Sequence, residues 1–460
     1  MLYNEAMRKY TLSNIKKYFD NRFNHQIVLT NSIIEDKTTT IEERLQAIEQ
    51  ELAALQSKND TLNLGLISKL TRLENNFLLQ NKPDRHVRQK RLLIAGFFGA
   101  FNLGDELMLE SLLQYIKPSF NIDITIMLSD NYNTDLTRYA AHNFIPYPTR
   151  TYDINAIADY YDAFFIAGGA LLDDAVYDSA KDKINLVTAI IDLGLRFIEF
   201  DKHCIFYGLS TPSEIQNVDY ISRLNRITNN CKHFSVRDTN SLNTLKKAKV
   251  SIDNVKVVND LVFANKTFSA IHKNTKNVKK EDEVGLIYVL NEDTLPLLTT
   301  FTKKLLKYYD DSIKLKIIPF YDYQNNDVVW ANKLVSAVNN PRLSAYDHTP
   351  SNLASLIDKL RGVRGVVSMR YHGTLVANML NKKVLCINYD AHPHYENKNE
   401  YVYSHYGFDR LMVDFSKLNK VDKNVLNLLN KSPTKKINLE KYCVKAKNEL
   451  ESVLKGIQLL

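Results

Sequence analysis

From residue 91 onward, short and almost continuously apolar runs alternate with amphipathic stretches. "RLLIAGFFG" (91–99), "IDITIMLSD" (122–130), "YDAFFIAGGALLDD" (161–174), "HCIFYGLS" (203–210) and "HFSVRD" (233–238) read as strands. Helical patterns separate them, the first starting near Asp105. A second series follows: "VGLIYVL" (284–290), "IKLKIIPF" (313–320), "VRGVVSMR" (363–370) and "KVLCINYD" (383–390). Between the last three, "TPSNLASLIDKL" (349–360) opens with a Thr-Pro helix entry. Continuous apolar strands alternating with helices predict parallel sheets covered on both faces. The two series predict an α/β chain with two Rossmann-like domains, 91–265 and 280–415, facing a cleft. A helical segment, 416–460, follows them. The polar, lysine-rich stretch 263–283 reads as the connection.

The first 90 residues follow another rule. Apolar residues recur at Ile41, Leu45, Ile48, Leu52, Leu55, Leu62, Leu66 and Leu73, a heptad seam. Thr40 and Glu43 form a capping-box pattern at its start. Asn59 falls on the seam, where a buried amide fixes register, and Gly65 weakens the helix. This predicts an N-terminal helical extension, 1–90, with a coiled coil joining copies of the chain into a homo-oligomer. Its end, 80–90, is a polar linker. The other reading is one amphipathic helix packed on its own chain.

Composition narrows the function classes. Of 460 residues, 45% are hydrophobic and 24% charged, as in soluble globular proteins. No apolar run approaches the roughly 20 residues that span a bilayer. The first 20 residues lack the apolar core of a signal peptide, so export is not expected. Cys204, Cys231, Cys386 and Cys443 have no CxxC spacing and read as reduced thiols. No metal site is expected. The net charge of +8 suits an anionic ligand or a membrane surface. Without a basic stripe carrying interleaved aromatics, nucleic acid is not an expected partner.

In open α/β sheets, ligands bind beyond the carboxyl ends of the strands. The polar residues there are the candidates. "GFFGAFNLGDE" offers Gly99, Asn102, Gly104 and Asp105 at a helix start that can attract anions. Asp105 reads either as a helix N-cap or as a catalytic residue. "FIAGGALLDD" offers Gly168, Gly169, Asp173 and Asp174, either a substrate platform with carboxylates for sugar hydroxyls or a tight turn with a solvated pair. "HFSVRD" ends in Arg237, suited to bidentate recognition of carboxylate or phosphate, with Asp238 as its partner or as a cap. Asp260 in "VVNDLVF" is placed similarly. "GVVSMRYHG" sets Arg370, His372 and Gly373 at a strand-to-helix junction, where histidine can donate a proton near neutral pH.

"GFFGAFNLGDELMLESLL", "FIAGGALLDD", "FSVRDTNSLNTL", "VVNDLVF" and "SMRYHGTLVANMLNKKVLCINYD", in that order, resemble the polysaccharide pyruvyl transferase family over roughly residues 91–410. The S-x-R-x-H-G stretch is the most specific piece. The resemblance implies a GT-B-like fold. It implies transfer of a pyruvyl group from phosphoenolpyruvate to a sugar, usually as a ketal bridging two hydroxyls, with no cofactor besides that donor substrate. It associates Arg237, Arg370 and His372 with the donor site. It also implies a lipid-linked glycan acceptor and a cytoplasmic enzyme, peripherally associated with the inner membrane face. Two features depart from the family. Ala167-Gly168-Gly169 stands where Gly-Gly-Gly is usual, and "NYDAHPHYENK" lacks the lysine that commonly follows the Y-D. His392 is the expected replacement in the donor site, with Lys398 further on.

Phosphoenolpyruvate carries a carboxylate and a phosphate close together. Binding it calls for fixed positive charge and N–H donors, which Arg237, Arg370 and two helix N-termini could supply. His372 is the expected proton donor. Asp105, Asp173 and Asp174 are candidates for the base, with Asp105 placed first. Gly99, Asn102, Gly168, Gly169, Asp173 and Asp174 are the expected acceptor contacts. Two other readings stand: a nucleotide-sugar glycosyltransferase of the same architecture, and a non-catalytic coiled-coil scaffold. The first would want a base-stacking pocket and a ribose-binding carboxylate. The second would have no reason to keep Arg237, Arg370 and His372 together.

Overall fold

The strongest apolar runs became the middle strands of two sheets. The computed structural model describes residues 90–457 apart from 101, 117–121, 129–141, 149–150, 179–184, 274–281, 322–326, 347–352, 390–397, 409 and 431–437. The heptad seam and nearly all of its linker therefore lie outside the described residues, as does His392. The first sheet contains β1 (Lys90–Ala95), β2 (Ile122–Leu128), β3 (Asn143–Pro146), β4 (Ala163–Ala167), β5 (His203–Leu209), β6 (His233–Val236) and β7 (Val255–Val257). It carries α1 (Leu103–Leu113), α2 (Thr151–Tyr160), α3 (Leu186–Glu199), α4 (Val218–Asn230) and α5 (Thr239–Lys247) between its strands. A 3₁₀ turn (Leu261–Ala264) and α6 (Lys266–Lys273) follow β7, so part of the lysine-rich connection is helical.

The second sheet contains β8 (Glu283–Ile287), β9 (Lys314–Ile317), β10 (Leu343–Ala345), β11 (Gly365–Ser368), β12 (Lys383–Asn388) and β13 (Met412–Asp414). Its helices are α7 (Leu295–Tyr308), α8 (Asp327–Val338), α9 (Leu353–Gly362), α10 (Tyr371–Met379) and α11 (Lys398–Tyr406). After β13 come a 3₁₀ turn (Phe415–Lys420), α12 (Lys423–Asn430) and α13 (Leu439–Gly456). No described helix is long and apolar enough to cross a membrane.

The strand orders are β3-β2-β1-β4-β5-β6-β7 and β10-β9-β8-β11-β12-β13, with every named pair parallel. Both are doubly wound, and the order reverses between β1 and β4 and again between β8 and β11. Such a switch point opens a crevice at the carboxyl ends of the strands. All the described residues belong to one compact unit. The four strands absent from the sequence reading, β3, β7, β10 and β13, are the four sheet edges. They have three or four residues and mixed burial, so they carry no apolar run.

α13 returns to the first sheet. Its apolar stripe, Leu439, Cys443, Ala446, Leu450 and Leu454, is buried in the same core as Leu107, Val262 and Phe263. Asn259, just after β7, donates from its side chain to the Tyr442 carbonyl (3.2 Å) and from its backbone to Glu449 Oε2 (3.4 Å).

Candidate active site

α1 starts at the first switch point. Its cap is Asn102, whose side chain accepts from the Gly104 N–H at 3.2 Å. This corrects one reading of Asp105, which is the third residue of the helix and not its cap. Asn102 also pairs with Tyr321 across the cleft, and Leu103 N–H donates to the Phe320 carbonyl at 3.0 Å. Asp105 and Glu106 are both buried in the first turn. Glu106 Oε1 accepts from Gly99 N–H at 2.8 Å. Two carboxylates so placed offset the positive end of the helix, which makes it a poorer anion site than its glycines alone suggest.

β4 ends in Gly168 and Gly169, at φ 66° and 88°, a backbone region that only glycine enters cheaply. Gly168 N–H donates to the Tyr207 carbonyl (2.8 Å), and the Gly169 carbonyl accepts from Ser210 N–H (2.9 Å). These backbone groups extend the sheet pairing to β5. A methyl group on Gly169 would lie 3.5 Å from Asp105 Oδ1, so this turn and the α1 carboxylate adjoin. Asp173 Oδ1 accepts from Ala175 N–H and Ser213 Oγ, both at 3.1 Å. Asp174 accepts from the backbones of Gln216 and Asn217 at 2.9 and 3.2 Å. Both carboxylates hold the loop, and each oxygen so engaged has less capacity for a sugar.

On the second sheet, β11 leads through Arg370 into α10. Arg370 is the N-cap but gives no side-chain cap bond, and the first turn of α10 contains no acid. Its guanidinium reaches back to Asp327 at 2.6 and 2.8 Å. Asp327 in turn accepts from Phe320 and Tyr321 N–H at 3.0 and 2.9 Å. Burial raises the Asp327 carboxyl, and Arg370 and the two amides oppose that only in part. A methyl on Gly373 would come within 2.9 Å of Ile287 Cγ2 and Ser368 Oγ, so glycine lets α10 settle onto β8 and β11.

His372 points to the other sheet. Its Nε2 lies 3.4 Å from Asp260 Oδ2. A methyl built on Gly104 would lie 2.0 Å from its Nδ1. Asp260 is fully buried and also accepts from Arg237 Nη1 at 3.0 Å. Burial would raise its carboxyl, but His372 and Arg237 outweigh burial and hold it below the usual carboxylate range. The Arg237 guanidinium stacks over the Tyr371 ring at 4.1 Å, and Tyr401 Oη donates to the Arg237 carbonyl at 3.0 Å. Asp238 caps α5, accepting from Ser241 N–H at 2.6 Å.

The structure thus brings Arg237, His372 and Asp260 into contact across the cleft and sets His372 over Gly104, the residue before Asp105. Each arginine is held by a carboxylate, yet Nε of Arg237 and of Arg370 is buried without a hydrogen-bond partner among the described residues. The acid-free α10 turn with Arg370 is the better anion site. Asp327, Tyr321 and Tyr371 were not singled out from the sequence. The first two flank residues 322–326, which carry no sequence motif, and Tyr371 is hidden in the x of S-x-R-x-H-G.

Comparison with solved structures finds the same fold at low identity. S. aureus MnaA in its UDP co-structure matches with TM-score 0.50 and 9% identity, covering 81% of this chain and 98% of that one. UDP-GlcNAc 2-epimerase from Methanocaldococcus jannaschii, in complex with UDP-GlcNAc and UDP, gives 0.49 and 12%, covering 80% and 99%. The enzyme of the same name from Neisseria meningitidis, bound to UDP-GlcNAc, gives 0.44 and 11%, covering 81% and 100%. The fold is GT-B-like. No curated protein matches the chain. The model of the polysaccharide pyruvyl transferase family matches residues 102–391, more than half of the 460, and spans Asn102, Asp105, Arg237, Asp260, Arg370 and His372. With that match and the two doubly wound sheets meeting at these residues, the chain belongs to the polysaccharide pyruvyl transferase family, a family of transferases.

Proposed function

We infer that the chain moves a pyruvyl group from phosphoenolpyruvate onto two hydroxyls of one sugar in a cell-surface polysaccharide or its lipid-linked precursor, forming a ketal. One observation carries this reading: an acid-free helix start, flanked by Arg370 and carrying His372, faces a buried Arg237–Asp260 pair from the opposite sheet. A compact anion held on the α10 amides would gain from the helix end and from the Nε–H of Arg370, whereas Arg237 Nε already lies 4.0 Å from Asp238 Oδ2.

The chemistry then follows from where the charges lie. A proton passes from His372 to the methylene carbon of the donor, leaving C2 electrophilic and stabilised by its oxygen. A sugar hydroxyl bonds to C2 as its proton moves to a base, for which Asp105, the residue after the Gly104 that His372 overlies, is the candidate. The C2–O bond to phosphate breaks and inorganic phosphate leaves. A second hydroxyl, losing its own proton, closes the ketal.

The test is the thermal midpoint of the full chain with phosphoenolpyruvate, set against UDP and UDP-sugars. A ligand at about 100 times its dissociation constant adds roughly 2.7 kcal/mol to the folded state, enough for a shift of a few degrees. The expected result is a shift with phosphoenolpyruvate that disappears in Arg370→Ala. A shift with UDP or a UDP-sugar alone would replace this donor with a nucleotide sugar.

A further inference from the structure

Asp260 is better fixed than a salt-bridge partner needs to be. It caps the 3₁₀ turn after β7, and its Oδ1 accepts from Val262 N–H at 3.0 Å. Its Oδ2 accepts from Arg237 Nη1 at 3.0 Å and lies 3.4 Å from His372 Nε2. Its own N–H donates to Tyr406 Oη at 3.2 Å. With both oxygens and the backbone engaged in a fully buried site, the carboxylate cannot turn away from the imidazole. Arg237 is anchored in turn by the Tyr371 ring and by Tyr401. At 3.4 Å Nε2 approaches the carboxylate without meeting hydrogen-bond geometry, and since a carboxylate only accepts, closing that approach calls for hydrogen on the ring nitrogen that faces it.

The other ring nitrogen faces a different surface. Nδ1 occupies the space that any side chain at position 104 would need. The helix there must be glycine for the ring to approach, and Asp105 is the next residue.

We propose that Asp260 is the positioning residue for His372: it keeps hydrogen on Nε2, so that Nδ1, seated over Gly104 at the head of α1, is the atom that carries the transferred proton. The positioning claim concerns the ring itself, while its consequence for rate rests on the reading of His372 as proton donor. In the charged ring both nitrogens carry hydrogen. Nδ1 delivers its proton to the donor carbon and Nε2–H stays on Asp260, so the neutral product has a single tautomer. Gly104 belongs to the same device.

The deciding experiment is ¹⁵N NMR of the full chain labelled at histidine, without donor, with the His372 signals assigned by their loss in His372→Gln. In the unaltered protein the neutral ring is expected to carry hydrogen on Nε2. In Asp260→Asn, whose amide can both donate and accept, the tautomers are expected to mix. Gly104→Ala keeps the Arg237–Asp260 pair and should still move the His372 signals, which covers the case in which Asp260→Asn does not fold. Turnover provides the second readout. Both variants should lose about 10- to 100-fold in kcat with KM for phosphoenolpyruvate changed less than about 3-fold. Hydrogen on Nδ1 in the unaltered protein, or an unmoved His372 spectrum in every variant that folds, would overturn the proposal. The NMR arm needs no substrate. A normal tautomer result without phosphoenolpyruvate turnover would therefore sink the proposed function and leave the positioning role standing.

Discussion

Arg237 and Arg370 sit at different depths, and their removal should fail in different ways. The Arg237 side chain is 4% exposed and faces a fully buried Asp260 whose other cationic partner among the described residues is His372. Arg237→Ala leaves that carboxylate stranded, and breaking a buried pair in this way costs about 3–5 kcal/mol. The Arg370 side chain is 18% exposed, and its partner Asp327 keeps two backbone N–H donors without it. Arg370→Ala should therefore lose donor binding with a much smaller stability loss. Urea melts of the two variants, with and without phosphoenolpyruvate, separate these outcomes. His233 predicts a pH effect remote from the cleft. Burial, aided by Lys256, pushes its imidazole from 6.5 down to about 4. Between those values the unfolded chain binds a proton that the folded one refuses, so stability falls as pH drops through that window. His142, His203 and His405 shift the same way. His233→Gln should remove part of the slope in melts at pH 7, 5.5 and 4.5. The Asp260 contribution has the same sign but is lost lower, once pH falls below the ordinary carboxylate range near ~3.9.

Two helix starts meet at the cleft with opposite preferences. α1 has Asn102 as its cap and two acids in its first turn, and α10 has neither. Asn102→Ala should cost about 1 kcal/mol through the lost cap. It should also weaken the contact with Phe320 and Tyr321, visible as faster amide exchange at Leu103. The sequence showed the glycines of the α1 loop clearly. It pointed to Asp105 as the cap, because aspartate and asparagine cap about equally well and only backbone geometry shows that the helix starts three residues earlier, after Asn102. Central strands such as β4, apolar throughout, were legible for a physical reason: both faces are covered. Edge strands such as β7 have one neighbour and a mixed pattern, and nothing in three residues marks them.

At the scale of the whole molecule, both sheets reverse their order where the candidate residues lie. Arg370 and His372 follow β11 at one switch point, and Asn102, Asp105, Gly168 and Gly169 follow β1 and β4 at the other. Polar residues at strand ends led to Arg370 and His372 for this reason, whereas Arg237 follows β6, away from the switch point, and meets His372 through Asp260. Asp327 escaped because it opens α8 in a stretch without a motif, 43 residues before its partner. The two halves are also tied by α13, whose Leu450 is fully buried against the first-sheet core. Leu450→Ala should cost about 2–5 kcal/mol, read from a chemical melt. That helix sets the order in which the protein can be made. The surface it covers, around Leu261–Ala264, emerges from the ribosome long before Leu439–Gly456 does. At 5–20 residues per second the interval is about 10 to 40 s. For that time the first half of the nascent chain displays an uncovered apolar stripe, and a chaperone acting during translation would find its opportunity there.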